Sequence, residues 1–254
     1  MQTAWQRYEV KFIVDEGTAE RITRYCRANL RFDAYCVGRP GYRYPIHSVY
    51  LDSPDFVLAR SVVERRADRY KLRVRTYREF NQPMDGLPTF FEVKRKLNGV
   101  VYKTRVRLSG PAVPEAFWNN FLGAESESQI DDRSRKNITK FMFLRQRLQA
   151  QPVISVHYER EAYESDFGQR VRVSLDRSLR YGVLDTTGQS IREVWWPLRL
   201  QGVILEIKFT DTYPDWVENL LEKSDLVRRG ICKYLMCSQA ANGLFQPLEE
   251  ARYV

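Results

Sequence analysis

Histidine and cysteine are scarce in this chain, with two of the former and four of the latter among 254 residues. Cys26, Cys36, Cys232 and Cys237 show no C-x-x-C spacing, and His47 and His157 do not complete a ligand set with them, which argues against a structural zinc module. Free, buried thiols are the expectation, as in an intracellular protein. Long apolar runs are also missing, and none approaches the ~18 residues of a membrane-spanning helix. Strand-like sequence begins almost at once with Trp5, Tyr8 and Val10, leaving no room for a secretory signal. A cytoplasmic protein is expected, with no domain ahead of the first strand and no membrane anchor behind the last helix. Acidic residues are in deficit as well: 32 Asp and Glu against 41 Lys and Arg give a net charge of +9. An anionic partner follows, whether nucleic acid, anionic lipid or a phosphorylated small molecule.

What is present is a succession of strands with one charged and one apolar face. In Tyr70 to Tyr77, YKLRVRTY, strict alternation puts Lys71, Arg73 and Arg75 on one face and Tyr70, Leu72 and Val74 on the other. Same-face residues stand roughly 6 to 7 Å apart, a spacing suited to gripping a condensed phosphate. Taken alone, such a strand is as well read as one wet face of a sheet.

RYEVKFIV (7 to 14) opens the chain as a strand, and Asp15 caps an amphipathic helix to Leu30. A loop from Gly38 to Pro45 leads to a short strand, SVYLD (48 to 52), and Ser53-Pro54-Asp55 opens a helical turn through about Ser61. A polar loop spans Asn81 to Pro88. Phe90 to Leu97 and Val100 to Leu108 flank Asn98-Gly99, a strong hairpin signal. That hairpin groups Glu92, Lys94 and Lys96 on one arm and Lys103, Arg105 and Arg107 on the other. Residues 111 to 150 read as a helical insert between two sheets' worth of strands. Strands resume at Val153 to Tyr163 and Gln169 to Ser178, then follow a polar, Trp-rich passage around Trp195 and a last strand, Gly202 to Phe209. Helices are expected from Pro214 to about Lys223 and from Lys233 to Phe245.

One element recurs in three strands: Glu9-Val10-Lys11, Glu92-Val93-Lys94 and Glu206-Ile207-Lys208. Each sets an acid and a base on one side of a strand. Because the helices carry apolar stripes that can cover the apolar strand faces from outside, the charged faces must turn inward. The expected architecture is therefore a single α+β domain over residues 1 to 254, an eight-stranded antiparallel β-barrel with a basic lumen covered outside by helices. Such a lumen is self-repelling unless water, metal and a polyanion fill it. Acids among the cations argue against a nucleic-acid groove, and no nucleic-acid partner is expected.

The ordered set RYEVKF, SVYLD, KLRVRTY, FFEVKRK, KTR, HYER, RVRVSLD, LEIKF and CKY resembles the VTC domain, the polyphosphate polymerase module of the triphosphate tunnel metalloenzymes (CYTH-like proteins), from about Arg7 to Tyr234. The resemblance implies a tunnel that binds ATP, polyphosphate or tripolyphosphate with Mn²⁺ or Mg²⁺, and transfer of the γ-phosphoryl of ATP to a growing polyphosphate chain. Hydrolysis of triphosphates and binding without turnover are the alternatives. It assigns Lys11, Arg73, Arg75, Lys94, Lys103, Arg160 and Arg172 to phosphate oxygens, Tyr158 to a phosphate contact, Glu206 to the metal and Lys233 to the closing Lys-Tyr element. Arg73, Arg75, Lys94, Arg160, Arg172 and Lys233 are the expected catalytic set, with Lys71, Arg105 and Lys208 as further phosphate binders and Glu9 as a second metal ligand or salt-bridge partner. Lys71 is placed toward solvent at the tunnel mouth. Where the family has a serine before that lysine, this chain has Cys232.

Overall fold

The structure, a computed structural model, describes residues 7–80, 82, 86–165, 171–187, 190–210, 215–222 and 226–242. The loop expected between Asn81 and Pro88 and the end of the last helix lie partly outside these residues.

Ten strands form one sheet. In chain order they are β1 (Arg7–Val14), β2 (Arg31–Phe32), β3 (Tyr44–Asp52), β4 (Asp68–Thr76), β5 (Thr89–Leu97), β6 (Val100–Leu108), β7 (Gln151–Glu164), β8 (Arg172–Thr187), β9 (Ser190–Pro197) and β10 (Val203–Thr210). Eight of them make a continuous antiparallel path, β1-β10-β8-β7-β3-β4-β5-β6, with β2 added to β7 and β9 to β8. The expected eight-stranded closed barrel is thus corrected. The sheet has ten strands, and its ends, β1 and β6, do not pair among the described residues. It does curl on itself, since Lys94 on β5 reaches Glu9 on β1 at 3.2 Å.

Local chemistry explains the turns and caps. Asn98 and Gly99 both take positive φ (48° and 88°), the pair of left-handed residues that matches the twist of two joined strands. Asp15 accepts from the Thr18 amide at 2.8 Å and starts α1 (Glu16–Asn29). Ser53 opens α2 (Val57–Val63) as expected, its hydroxyl accepting from the Val57 amide at 3.0 Å, and Asp52 adds to it with a carboxylate that accepts from the amides of Ser53, Leu58 and Ala59. Gly202 sits at φ +127° with Val14 O only 2.4 Å from where a Cβ would stand, so only glycine fits the entry to β10 against β1.

The helical insert is α3 (Ala112–Pro114), a π-helical turn over Glu115–Asn119, α4 (Ala124–Ser128) and α5 (Asp132–Arg147). It separates β6 from β7 along the chain, as expected, and lies against the apolar face of the sheet. Ile138, Phe141 and Leu144 of α5 bury the apolar face made by Leu72, Val74, Phe91, Val93 and Val106. On the other flank, α1 covers Val10, Phe12, Val173, Leu205 and Ile207, joined by Val217 of α6 (Asp215–Glu222). The Trp-rich passage, to which the sequence assigns no element, is β9, paired through Trp195↔Gly182 to a β8 that runs well past Ser178.

The last helix departs from the outer layer. In α7 (Lys233–Asn242), Tyr234, Leu235 and Cys237, with Ile231 and Cys232 just ahead, pack against Ile46, Tyr50, Ile154, Val156 and Ile204. These are inward-facing positions, in register with the charged ones along the same strands. α7 therefore covers an apolar end of the inner face, where Tyr234 stacks on Tyr50 and donates to Asp52 at 2.5 Å. Among the described residues, no helix is long and apolar enough to cross a membrane.

Candidate functional site

Register decides which side chains share the inner face. β1 and β10 pair so that Glu9 faces Lys208 and Lys11 faces Glu206: two acid-base elements run antiparallel, each acid opposite the other's base. Glu206 lies across from Ser174 of β8, Asp176 across from Arg160 of β7, and Arg160 across from Tyr44 of β3. Ser48 and Tyr50 of β3 face Arg75 and Arg73 of β4, Arg73 faces Glu92 of β5, and Glu92 faces Arg105 of β6. The inner face thus collects Lys11, Lys71, Arg73, Arg75, Lys94, Lys103, Arg105, Tyr158, Arg160, Arg172, Lys208, Glu9 and Glu206. Lys233 joins them from α7.

Four carboxylates organise these cations. Asp176, fully buried, accepts two hydrogen bonds from Arg160 (2.6 and 2.7 Å) and stands 2.6 Å from Lys233. Glu206 lies 3.5 Å from Lys11 and pairs more closely with Lys208. Glu9 lies 2.7 Å from Lys11 and 3.2 Å from Lys94. Glu92, 1% exposed, takes Arg73 at 2.5 Å, Lys103 at 2.8 Å and Arg105 at 3.4 Å. Cations outnumber acids throughout, so the cavity carries a positive field.

Ionisation follows from this crowding. Burial opposes charge on Glu206, but Lys11, Lys208, Arg160 and Lys233 outweigh it and hold its carboxyl well below the usual range. Burial and Glu206 likewise raise Glu9, while Lys11 and Lys94 bring it down to about 2. Arg73 and Arg75 hold Glu92 low against its burial. Lysines on the β5–β6 side are affected differently: burial pulls Lys94 and Lys103 down to about 8. Their positive charge is thus the most easily lost in the cavity.

The central arginines are preset by side chains that leave much of each guanidinium to a ligand. Arg73 donates from Nε to Glu92 and from Nη1 to Tyr50 at 3.3 Å. Arg75, 7% exposed, donates to Ser48 at 3.0 Å and to the Tyr158 hydroxyl at 3.5 Å. Arg160 and Lys233 both lie over the Tyr158 ring.

Two placements differ from expectation. Lys71, half-buried, is not simply turned to solvent: its ammonium donates to the Cys232 sulfur at 3.0 Å, just ahead of α7. Burial opposes ionisation of that thiol, but Lys71 lowers its pKa below the ordinary value. Arg172 is on the expected face but is held at its edge by Asp33 at 2.5 Å, by Glu164 and by the Tyr44 hydroxyl. The expected catalytic set also lacks Asp176, Ser48 and Tyr50. Alternation in RVSLD carried the signal for Asp176, which shares the face of Arg172 and Ser174.

Glu9 and Glu206 can hold a divalent cation, for both are ionised and interact through space across Lys11. No group of three His, Cys, Asp or Glu side chains among the described residues is placed to ligate one. Two carboxylates without a third donor do not make an all-protein cage. They fit a hard cation such as Mg²⁺, which takes one or two carboxylates and completes its shell with phosphate oxygens and water.

Comparisons with known proteins bear on the fold and the family. The crystal structure of a candidate adenylate cyclase from Bacillus halodurans, 13% identical, aligns over 89% of this chain and 94% of its own at a TM-score of 0.50. A protein of Pyrococcus horikoshii OT3 aligns over 91% and 96% of the two chains at 17% identity and a TM-score of 0.46. At these identities the likeness is one of fold. No curated protein sequence matches the chain. The family model of the VTC domain, however, matches residues 6–242, nearly the full length, and the chain belongs to the VTC-domain family.

Proposed function

We propose that this protein transfers the γ-phosphoryl of ATP to the end of a polyphosphate chain inside the curled sheet. The observation that carries the reading is the convergence of Arg73, Arg75, Arg160, Lys11 and Lys233 on one face with only ion-paired carboxylates between them. Phosphoryl transfer demands little covalent chemistry of the protein and much positioning and charge stabilisation, which rigid guanidinium forks supply. Arg73 and Arg75 orient the phosphate oxygens, each fixed by a hydroxyl or carboxylate behind it. Arg160 of β7, on the far side of β3 from them, and Lys233 add charge beside these two, locked by Asp176. Glu9 and Glu206 would hold the divalent cation that VTC-domain membership implies, and it supplies charge neutralisation between adjacent phosphate oxygens.

The state of the carboxylates favours transfer to phosphate over transfer to water, which leaves Lys94 and Lys103, lowered to about 8, as the bases a hydrolase would use. A terminal phosphate is already anionic and needs no base, whereas water is helped by one with a pKa near the working pH. Glu9, Glu92, Glu206 and Asp176 are all ion-paired and held below their ordinary pKa values, so each is a poor base.

Incubation with ATP and Mn²⁺ or Mg²⁺, resolving ADP, free phosphate and chains, tests the proposal. ADP with long chains is the expected result. ADP with free phosphate alone would make the protein a hydrolase, and tight binding without turnover a binding module.

A further inference from the structure

Beyond the cavity itself, the free edge of β6 carries a feature that the phosphoryl-transfer reading leaves unused. A groove of about 490 Å³ lies between that edge and the first turn of α5, lined by Lys103, Thr104, Arg105, Arg133, Ser134 and Asn137. Lys103 and Arg105 belong to the inner face, where both pair with Glu92, so the groove borders that face. Arg133 belongs to α5 on the outside and is exposed, making no salt bridge among the described residues.

The polar groups around the groove are arranged to receive an anion. Both Asp131 oxygens are taken by Ser134, at 2.8 Å from its amide and 3.1 Å from its hydroxyl, and Asp132 is paired with Arg135 at 2.9 Å. The acids beside the groove are therefore engaged. The buried Nε of Arg105 lies 3.4 Å from Glu92 without a hydrogen bond to it, and Nη2 donates to the Tyr77 hydroxyl at 3.1 Å, so the guanidinium is held in place at the groove. Asn137 turns its amide toward the Arg105 carbonyl on the β6 edge at 3.4 Å, which ties helix to strand and fixes the groove wall. Among the described residues no strand pairs with β6 on this side, so none of their strands lies between the inner cations and Arg133.

We infer that a long polyphosphate chain leaves the cavity sideways over the β6 edge, with Lys103, Arg105 and Arg133 gripping the phosphates beyond those held inside. The inference rests on the phosphoryl-transfer reading and adds to it a track that only long chains reach. Tripolyphosphate is held within the cavity, so Arg133 does not touch it. Chain length is thereby sensed through affinity: each exposed cation along the track adds attraction for a polyanion in the salt-dependent way of a phosphate backbone.

The test is titration of tripolyphosphate and of long-chain polyphosphate into wild type, Arg133→Ala, Arg133→Glu and the remote charge control Arg24→Glu on α1. Arg133→Ala is expected to weaken long-chain binding about fivefold, and Arg133→Glu by more than about twentyfold, with a shallower salt dependence. Tripolyphosphate affinity stays at the wild-type value in both. Equal losses for both ligands, no loss for either, or a loss in Arg24→Glu that matches Arg133→Glu would overturn the track while leaving the cavity reading intact. Wild-type protein that binds neither ligand would overturn both.

Discussion

Removing Glu92 tests whether the inner face is built to be completed by an anion. Glu92 is 1% exposed and serves Arg73, Lys103 and Arg105 at once, so Glu92→Gln keeps the shape and leaves three cations without their shared acid. Only Arg73, at 2.5 Å and largely buried, forms a tight pair with it; Lys103 and Arg105 retain contact with solvent and are discounted. Breaking a buried pair costs about 3 to 5 kcal/mol, and partial access to water puts this one near the lower figure. For a chain of this size about 3 kcal/mol lowers Tm by roughly 6 to 12 °C. Glu161→Gln is the matched control. Glu161 is fully buried on the outer side of the sheet, with Arg27 at 2.9 Å and Arg177 at 3.3 Å, and its loss should cost a similar amount. Tripolyphosphate at a fixed concentration of about 100 times the wild-type Kd stabilises a variant of unchanged affinity by about 2.7 kcal/mol. In Glu92→Gln the ligand also replaces the missing negative charge, so its Tm gain should exceed that of Glu161→Gln by at least several degrees. Differential scanning fluorimetry with and without tripolyphosphate reads both numbers. Equal gains in the two variants would refute the idea that the inner cations lack an anion.

Arg73→Ala and Arg75→Ala should each lower turnover of ATP at least ~100-fold, as for one transition-state charge contact of about 3 kcal/mol, and Arg75→Lys should not restore it, because a point charge cannot reproduce the fork held by Ser48. Lys71→Ala should lose much less, since its ammonium is spent on Cys232; initial rates with circular dichroism as a folding check compare all four. Glu206→Gln should abolish metal-dependent turnover yet keep or tighten tripolyphosphate binding, and near wild-type rates at saturating metal would remove it from the site. Lys94, lowered by burial from an ordinary 10.5 to about 8, predicts opposite pH trends. Above pH 8 the folded protein has released a proton that the unfolded chain keeps to about 10.5, so this group's contribution to stability rises with pH while affinity for tripolyphosphate falls. Calorimetric titration across that window should show the affinity step, and Lys94→Gln should shrink it.

Much of the site was legible before any coordinates, because a strand has a period of two and each inward row can be read directly. Lys71-Arg73-Arg75 and the paired acid-base elements kept their faces, Asn98-Gly99 set the β5–β6 register, and Asp15 capped the first helix. The sequence by itself therefore determined which face of each strand is charged, and that an antiparallel sheet with helices on its apolar side must turn those faces inward. Its limits appear where the deciding contact is distant along the chain. That β1 lies beside β10, so that Glu9 and Lys11 face Lys208 and Glu206, is a pairing across nearly two hundred residues that no local pattern encodes. α7 shows a balanced mix of small, apolar and polar residues rather than one strong apolar stripe, and only the apolar end of the inner face decides that it packs inside, bringing Lys233 to Asp176 and Cys232 to Lys71. The open edge of β6 is of the same kind. Closure depends on how far the accumulated twist of eight strands carries one end toward the other, a property of the whole sheet that belongs to no single segment.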